Sequence, residues 1–156
     1  MSKIGIAGLL FLIATTAAAQ AKPIPVAARV EAEGATKGQG LWEQSSKGLT
    51  LGEVKTLQSL VVDEIAKQNG VKIVPLDYSE EDVIGVVVVA AKLPKSSPAK
   101  DWYYIASSAL IVATKKGDDE FLTHNVFAAN DLRSLARDVS LQFAAARLRA
   151  ATGLWK

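Results

Sequence analysis

The residues that could do chemistry in this chain are a single histidine, His124, and two adjacent serines, Ser107 and Ser108. Together with a carboxylate such as Asp118 or Asp119 they supply the residue types of a Ser-His-Asp triad, in which the imidazole takes the proton of the serine nucleophile. No Gly-x-Ser-x-Gly motif surrounds either serine, so the strained turn that presents a hydrolase nucleophile is not indicated. The alternative is that the two serines mark a position where a helix packs closely on a strand, and this second interpretation is favoured.

Metal and phosphate chemistry have less support in the sequence. The chain has no cysteine and one histidine, whereas zinc takes three or four Cys, His or carboxylate ligands. Residues 118–120 are acidic but contiguous, while a calcium loop places its oxygen ligands at alternating positions. The glycine-rich segment 34–40 does not end in the Gly-Lys-Ser/Thr sequence of a phosphate-binding loop. The sequence therefore predicts no metal site, no bound cofactor and no catalytic residue.

Three consecutive polar residues, Thr123, His124 and Asn125, interrupt a segment of strand composition. They form either a small recognition patch or the half-exposed face of a strand. The alternation of the surrounding residues favours the half-exposed face.

A second candidate surface lies on the last amphipathic segment. Its main apolar stripe contains Leu132, Leu135, Ala136, Val139, Phe143 and Ala146. At 100° per residue, Leu141 and Leu148 fall on nearly the opposite side, with Ala145 between them. These three residues form a possible surface for a protein partner or for self-association. The alternatives are that isolated exposed leucines need no explanation, or that the segment from Lys22 to Gly48 covers them.

Composition limits the class of protein. The 156 residues are 49% apolar and 22% charged, which suits one globular domain with a sizeable core. The formal net charge is only +2, so the concentrated basic footprint of a nucleic-acid-binding protein is missing. The absence of cysteine excludes disulfides and thiolate chemistry.

The first 21 residues have the three parts of a secretory signal peptide. Lys3 supplies the positive charge, residues 4–14 are an apolar run too short to span a bilayer, and residues 19–21 read Ala-Gln-Ala, a small-x-small cleavage site. We expect cleavage after Ala21, no membrane anchor afterwards, and export to a bacterial periplasm rather than to the extracellular space. An uncleaved anchor is the alternative.

The remaining sequence predicts alternating strands and helices. Thr50 to Glu53 fits a capping box, and an apolar stripe follows it, which predicts a helix from Leu51 to Asn69 with Gly70 as a left-handed stop. Pattern and turn chemistry predict the other elements as well. These are strands at Val26–Glu33, Val71–Val74 and Val83–Ala91, a hairpin at Asp101–Phe127, and a helix from an Asn130 cap to Gly153.

The run from Val83 to Ala91 is apolar on both faces, which is typical of a central strand buried on both sides. This element order predicts an α+β fold with a mixed, mostly antiparallel sheet of four to five strands and two helices packed on one face. The predicted domains are a signal peptide at 1–21, an extended segment with a glycine-rich loop at 22–48, and a single α/β domain at 49–156. The first strand belongs within 24–33.

This order of elements resembles the N-terminal α/β domain of TolB and the related CsgG-like domains. The resemblance covers Val26 to Gly153 and is carried by the capped first helix, the strands 71–74 and 83–91, and the terminal helix. It implies an exported bacterial module that works through protein contacts. The chain has neither the β-propeller of TolB nor the lipid anchor of the curli-secretion protein, so their particular functions are not implied.

The sequence thus supports an exported, non-catalytic binding or assembly module that acts through a protein partner or as a homo-oligomer. Two alternatives remain at this point. One is a small periplasmic hydrolase using His124, and the other is a structural protein that self-associates through a sheet edge.

Overall fold

A computed structural model describes residues 22–32, 47–94, 102–117 and 119–152. The predicted signal peptide, the glycine-rich loop, Asp118 and the Gly153 helix stop lie outside these residues. The described elements, in chain order, are β1 (Ile24–Ala32), β2 (Lys47–Gly48), α1 (Leu51–Ala66), β3 (Val71–Ile73), β4 (Val83–Pro94), β5 (Trp102–Ala113), β6 (Asp119–Ala129) and α2 (Leu132–Thr152).

The strands form one mixed sheet in the order β3-β1-β4-β5-β6, with the two-residue β2 paired to β4. β1 runs parallel to both β3 and β4, because α1 carries the chain back to the same end of the sheet. β4, β5 and β6 are joined as an antiparallel meander. The predicted α+β class, with two helices on one face of a mixed sheet, is confirmed.

The first helix begins as its sequence predicts. The Thr50 amide donates to Glu53 Oε2 at 2.8 Å, and the Glu53 amide donates to Thr50 Oγ1 at 3.3 Å, which completes the capping box. Leu57, Val61 and Ile65 are fully buried along the predicted stripe. The helix ends at Ala66, three residues before the predicted end, and Gly70 has the expected positive φ of 72°.

The second helix starts at Leu132, and its first turn corrects the predicted cap. Asp131, not Asn130, accepts hydrogen bonds from the Ser134 amide and the Ser134 hydroxyl, both at 2.8 Å. A carboxylate at this position also suits the positive end of the helix dipole. The predicted core stripe of α2 is confirmed, since Leu135, Val139 and Phe143 are fully buried.

The main core lies between the two helices and one face of the sheet. β4 is the central strand of the sheet, as predicted, but its burial on both sides holds only towards its two ends, where Val83 and Ala91 are buried on the face away from the helices. Val86 and Val88 are fully buried on the helix side, but Val87 and Val89 on the opposite face are only half-buried. Both described helices pack on the same face, so neither of them covers the other face along the middle of β4. None of the helices in the described ranges is long and apolar enough to span a membrane.

Candidate functional site

The face of the sheet that points away from the helices carries a group of apolar side chains in contact with solvent. Successive residues of a strand point to opposite faces, so the neighbours of the buried residues in β4 and β5 lie on this side. We call this surface the open face and define it by six residues: Val87, Val89, Ile105, Ile111, Phe121 and Val126. The first four are half-buried, and Phe121 and Val126 are each 61% exposed.

Strand register places these side chains next to one another. Val89 pairs with Ser107, which pairs with Val126, so the three form one row across the sheet. Ile111 pairs with Phe121 in a second row, four residues along β5 from Ser107. Directly paired side chains in a sheet are about 5 Å apart, so Phe121 lies beside Ile111, whereas Ser107 lies between Val89 and Val126.

The open face has defined limits. At one end Ala27, Val74 and Val83 form a second small core with Tyr78, which lies in the connection between β3 and β4. At the other end Ala91 and Leu93 belong to the same face of β4 but are buried. The exposed apolar region is therefore confined to the middle of β4, β5 and β6.

A charged pair borders the open face on its β1 side. Arg29 Nε lies 2.6 Å from Glu31 Oε1, and these residues pair with Val87 and Val89 of β4. The two opposite charges neutralise each other at this border, so the open face has no strong charge of either sign.

The structure brings His124 and Ser107 together at the centre of the open face. The Ser107 hydroxyl oxygen lies 2.6 Å from His124 Nε2, between strands β5 and β6. Ala109 pairs directly with His124, and Ser107 is its diagonal neighbour on the same face. This contact is the one that a serine hydrolase needs between nucleophile and base.

The rest of a triad is not assembled among the described residues. No carboxylate whose side chain is described is hydrogen-bonded to His124, and the backbone of Asp119 pairs with Ala113 near the far end of β5. Asp118, the other candidate, lies outside the described residues. Ser107 also sits within a regular ladder between β4 and β6 instead of on a sharp turn, so its neighbouring amides are committed to strand pairing.

Ser108 takes no part in the open face. It is fully buried on the helix side, where Gln142 Nε2 of α2 donates to the Ser108 carbonyl at 3.3 Å. Ser108 therefore marks close packing of the last helix on the sheet, as the favoured interpretation of the sequence predicted. The same interpretation is wrong for Ser107, which lies on the opposite face.

The polar sequence Thr123-His124-Asn125 does not share one face. Thr123 pairs with Leu110 and Asn125 with Ser108, both residues of the helix side, whereas His124 lies on the open face. Thr123 is half-buried, and His124 and Asn125 are exposed. The strand alternation separates the three side chains, so a compact patch made of all three is not formed.

The predicted second surface lies on α2, on the other side of the molecule from the open face. Leu141 and Leu148 are 58% and 67% exposed, and Ala145 between them is also exposed. Their position outside the core is as the helical pattern predicts. Their role in binding a partner stays a prediction.

Phe121 and Val126 were not among the sequence candidates for function. One signal in the sequence pointed to them: β4 and β5 are apolar on both faces, whereas two helices cover only one face of a sheet.

Among the described residues, no group of three His, Cys, Asp or Glu side chains is arranged to hold a metal ion. No model of a known protein family matches the chain, and no curated protein matches it.

Proposed function

We propose that this protein is an exported, non-catalytic periplasmic module for binding or assembly, and that its open face docks a protein partner. One observation carries the proposal. Phe121 and Val126 keep most of their surface in solvent on the same face of the sheet as the half-buried Val89 and Ile111, so the described part of the chain leaves apolar surface uncovered there. Contiguous exposed apolar surfaces of this kind mark contact sites on proteins.

The chemistry of the open face favours a protein as the partner. Its members are aliphatic and aromatic side chains on a sheet surface, with one serine–histidine pair at the centre. Such a surface, mainly apolar with a few polar groups and a polar border at Arg29 and Glu31, has the mixed composition of a protein–protein interface. A nucleic acid requires a dense basic surface, which the near-neutral chain does not provide.

The cellular setting of the proposal rests on the sequence. The signal peptide predicted at residues 1–21 directs export, and the order of elements resembles the TolB N-terminal and CsgG-like modules. Those domains also work through protein contacts, which agrees with a binding role for the open face.

Site-specific crosslinking in the native periplasm tests the proposal. A photo-crosslinking residue at position 126 is expected to give one product of defined mass, while the same residue at position 51 gives none. Leu51 is a suitable control because it is 71% exposed and lies on α1, away from the open face. The product at position 126 should disappear in Phe121→Ser.

Substitution provides the matched comparison. The double variant Phe121→Ser with Val126→Ser should lose the partner and keep its thermal midpoint, since both side chains are largely in solvent. The double variant Leu51→Ser with Leu76→Ser removes two side chains that are 71% and 64% exposed elsewhere, and should keep the partner. Loss of the partner in both variants, or in neither, contradicts docking at the open face.

A crosslinked product that contains only this chain, together with a dimer mass by light scattering, favours the self-associating structural protein instead.

One observation favours a second candidate function, a small periplasmic hydrolase. The 2.6 Å contact between Ser107 and His124 is short enough for proton transfer from the hydroxyl to the imidazole. If this pair is catalytic, Ser107→Ala and His124→Ala each abolish hydrolysis of an activated ester by the purified protein. Activity that survives both substitutions, or that is absent from the wild type, removes the hydrolase.

A further inference from the structure

A cavity of about 210 Å³ lies on the helix side of the sheet, between α2 and the first residues of β1 and β4. It is independent of the open face, which is on the other side of the sheet. Its lining, as far as the chain is described, includes six apolar side chains: Ile24, Ile84, Leu110, Leu122, Phe143 and Ala146.

The lining residues form an inner wall and a partly exposed rim. Leu110 and Phe143 are fully buried and form its inner wall. Ile24, Ile84 and Leu122 are half-buried, so solvent reaches the cavity along their side. Leu122 comes from an irregularity in the pairing of β5 and β6, where Leu110 pairs with Thr123 and Ile111 with Phe121. This extra residue in β6 directs one more apolar side chain toward the helix.

Among the described residues of the lining, Arg147 is the one charged side chain, and none is acidic. Arg147 Nη1 donates to the Asn69 carbonyl at 3.0 Å, and its guanidinium carbon lies 5.8 Å from the centroid of the Phe143 ring. These two contacts hold the guanidinium at the edge of the cavity. A guanidinium has five N–H donors in a plane, so the bond to Asn69 leaves donors for a carboxylate.

We propose that this cavity binds a small carboxylic acid, with its apolar body between α2 and the sheet and its carboxylate on Arg147. The size of the ligand follows from the volume. An apolar cavity of about 150 Å³ accepts benzene, so 210 Å³ accommodates an apolar body of about eight non-hydrogen atoms. The negative charge of the ligand follows from Arg147, the one ionised group among the described lining residues.

Titration of the purified, isotope-labelled protein with 3-phenylpropanoate tests the proposal, with backbone amide NMR shifts as the measurement. This probe has an eight-carbon apolar body and one carboxylate. Saturable shifts are expected at the lining residues of α2, β4 and β6, with a dissociation constant of about 1 mM or below. The neutral 3-phenylpropanamide should bind about tenfold more weakly, since it lacks the charge-assisted bond to Arg147.

Two variants and one control separate the parts of the proposal. Arg147→Met should reduce the affinity for the acid to that for the amide and leave the amide unchanged. Leu122→Phe fills the cavity from its rim and should abolish binding of both probes. Leu51→Phe makes the same chemical change at an exposed position on α1 and should alter neither affinity.

The proposal is overturned if the wild type shows no saturable shift, if the shifts lie away from the lining residues, or if acid and amide bind equally well. If Arg147→Met does not fold, the comparison of Leu122→Phe with Leu51→Phe decides. Undiminished binding in Leu122→Phe would place the ligand elsewhere.

Discussion

Lys92 of β4 and Glu53 of α1 form an ion pair in which Lys92 Nζ lies 2.6 Å from Glu53 Oε1. Both side chains are largely shielded from solvent. The lysine side chain keeps only 15% of its exposure. The Tyr104 hydroxyl donates to the same carboxylate oxygen at 3.2 Å. The pair therefore ties the start of the first helix to β4 and β5, and Glu53, the third helical residue and acidic member of the capping box, also anchors α1 to the sheet.

The first prediction is that this contact makes stability depend on pH. Burial raises the pKa of Glu53, but hydrogen bonds from Lys92 and Thr50 outweigh it and lower the pKa from 4.5 to about 2. Because the pKa is lower in the folded state, the stabilisation is complete above about pH 4.5 and is lost as the pH falls through 2. We expect the unfolding free energy in urea to drop by about 1–3 kcal/mol from this group between pH 6 and pH 2.

The matched variants for this prediction are Glu53→Gln and Lys92→Met. Glu53→Gln should be less stable than the wild type at pH 6 and should lose less stability on acidification. Lys92→Met removes the partner and should raise the pKa of Glu53. An unchanged pH profile in Glu53→Gln would show that other carboxylates cause the acid response.

The second prediction contrasts a core residue with a residue of the open face. Phe143 is fully buried mid-way along the stripe of α2, so Phe143→Ala should cost about 3–5 kcal/mol of unfolding free energy. His124 is exposed, and His124→Ala should cost under about 1 kcal/mol. Urea melts of both variants provide the measurement. Equal destabilisation would contradict the assignment of the two faces.

The third prediction uses two glycines in opposite backbone conformations. Gly70 has a φ of 72°, a backbone conformation in which a residue with a Cβ is strained. Gly70→Ala should therefore destabilise the protein by about 1–2 kcal/mol. Gly52 is exposed within the first turn of α1, and a Cβ there meets only Thr50 Oγ1 at 4.0 Å. Gly52→Ala should therefore stabilise the protein by about 0.5–1 kcal/mol. Thermal melts that move in the same direction for both variants would contradict this account.

The fourth prediction concerns the surface formed by Leu141, Ala145 and Leu148. Since both leucines are more than half exposed, the double variant Leu141→Ser with Leu148→Ser should keep its thermal midpoint within about 3 °C. If this surface also binds a partner, a crosslinked species is lost at the same time. Leu135→Ser is the control within the same helix, and it should unfold the protein because Leu135 is fully buried. Unfolding of the double variant would place these leucines in the core.

The fifth prediction is that the exported protein begins at Lys22. The small-x-small sequence at residues 19–21 and the short apolar run before it favour cleavage after Ala21. The intact mass of the protein recovered from the periplasm provides the measurement. A mass that includes residues 1–21 would contradict both the processing and the proposed localisation.

Local sequence was enough to predict the helices and the longer strands of this fold, but not the two-residue β2. The Thr50–Glu53 capping box, the left-handed Gly70 and the core stripe of α2 depend on residues within one or two turns of each other, so short-range sterics and hydrogen bonds determine them. The same short-range rules do not fix where α2 begins, because they do not choose between two neighbouring capping residues. Asn130 and Asp131 are both good capping residues, and the final geometry of the chain after β6 selected Asp131.

Only the tertiary structure decided which apolar faces stay open. The sequence of β4 is equally apolar at Val87 and Val88, and no local rule says which face the helices cover. The same holds for the Ser107–His124 contact, because two residues 17 positions apart meet only once the register of β5 and β6 is fixed. That register includes an irregularity at Leu110 and Ile111, which shifts every later pair by one residue and turns Leu122 toward the cavity. Register and helix placement depend on packing over the whole sheet, and a pattern read along the chain does not contain them.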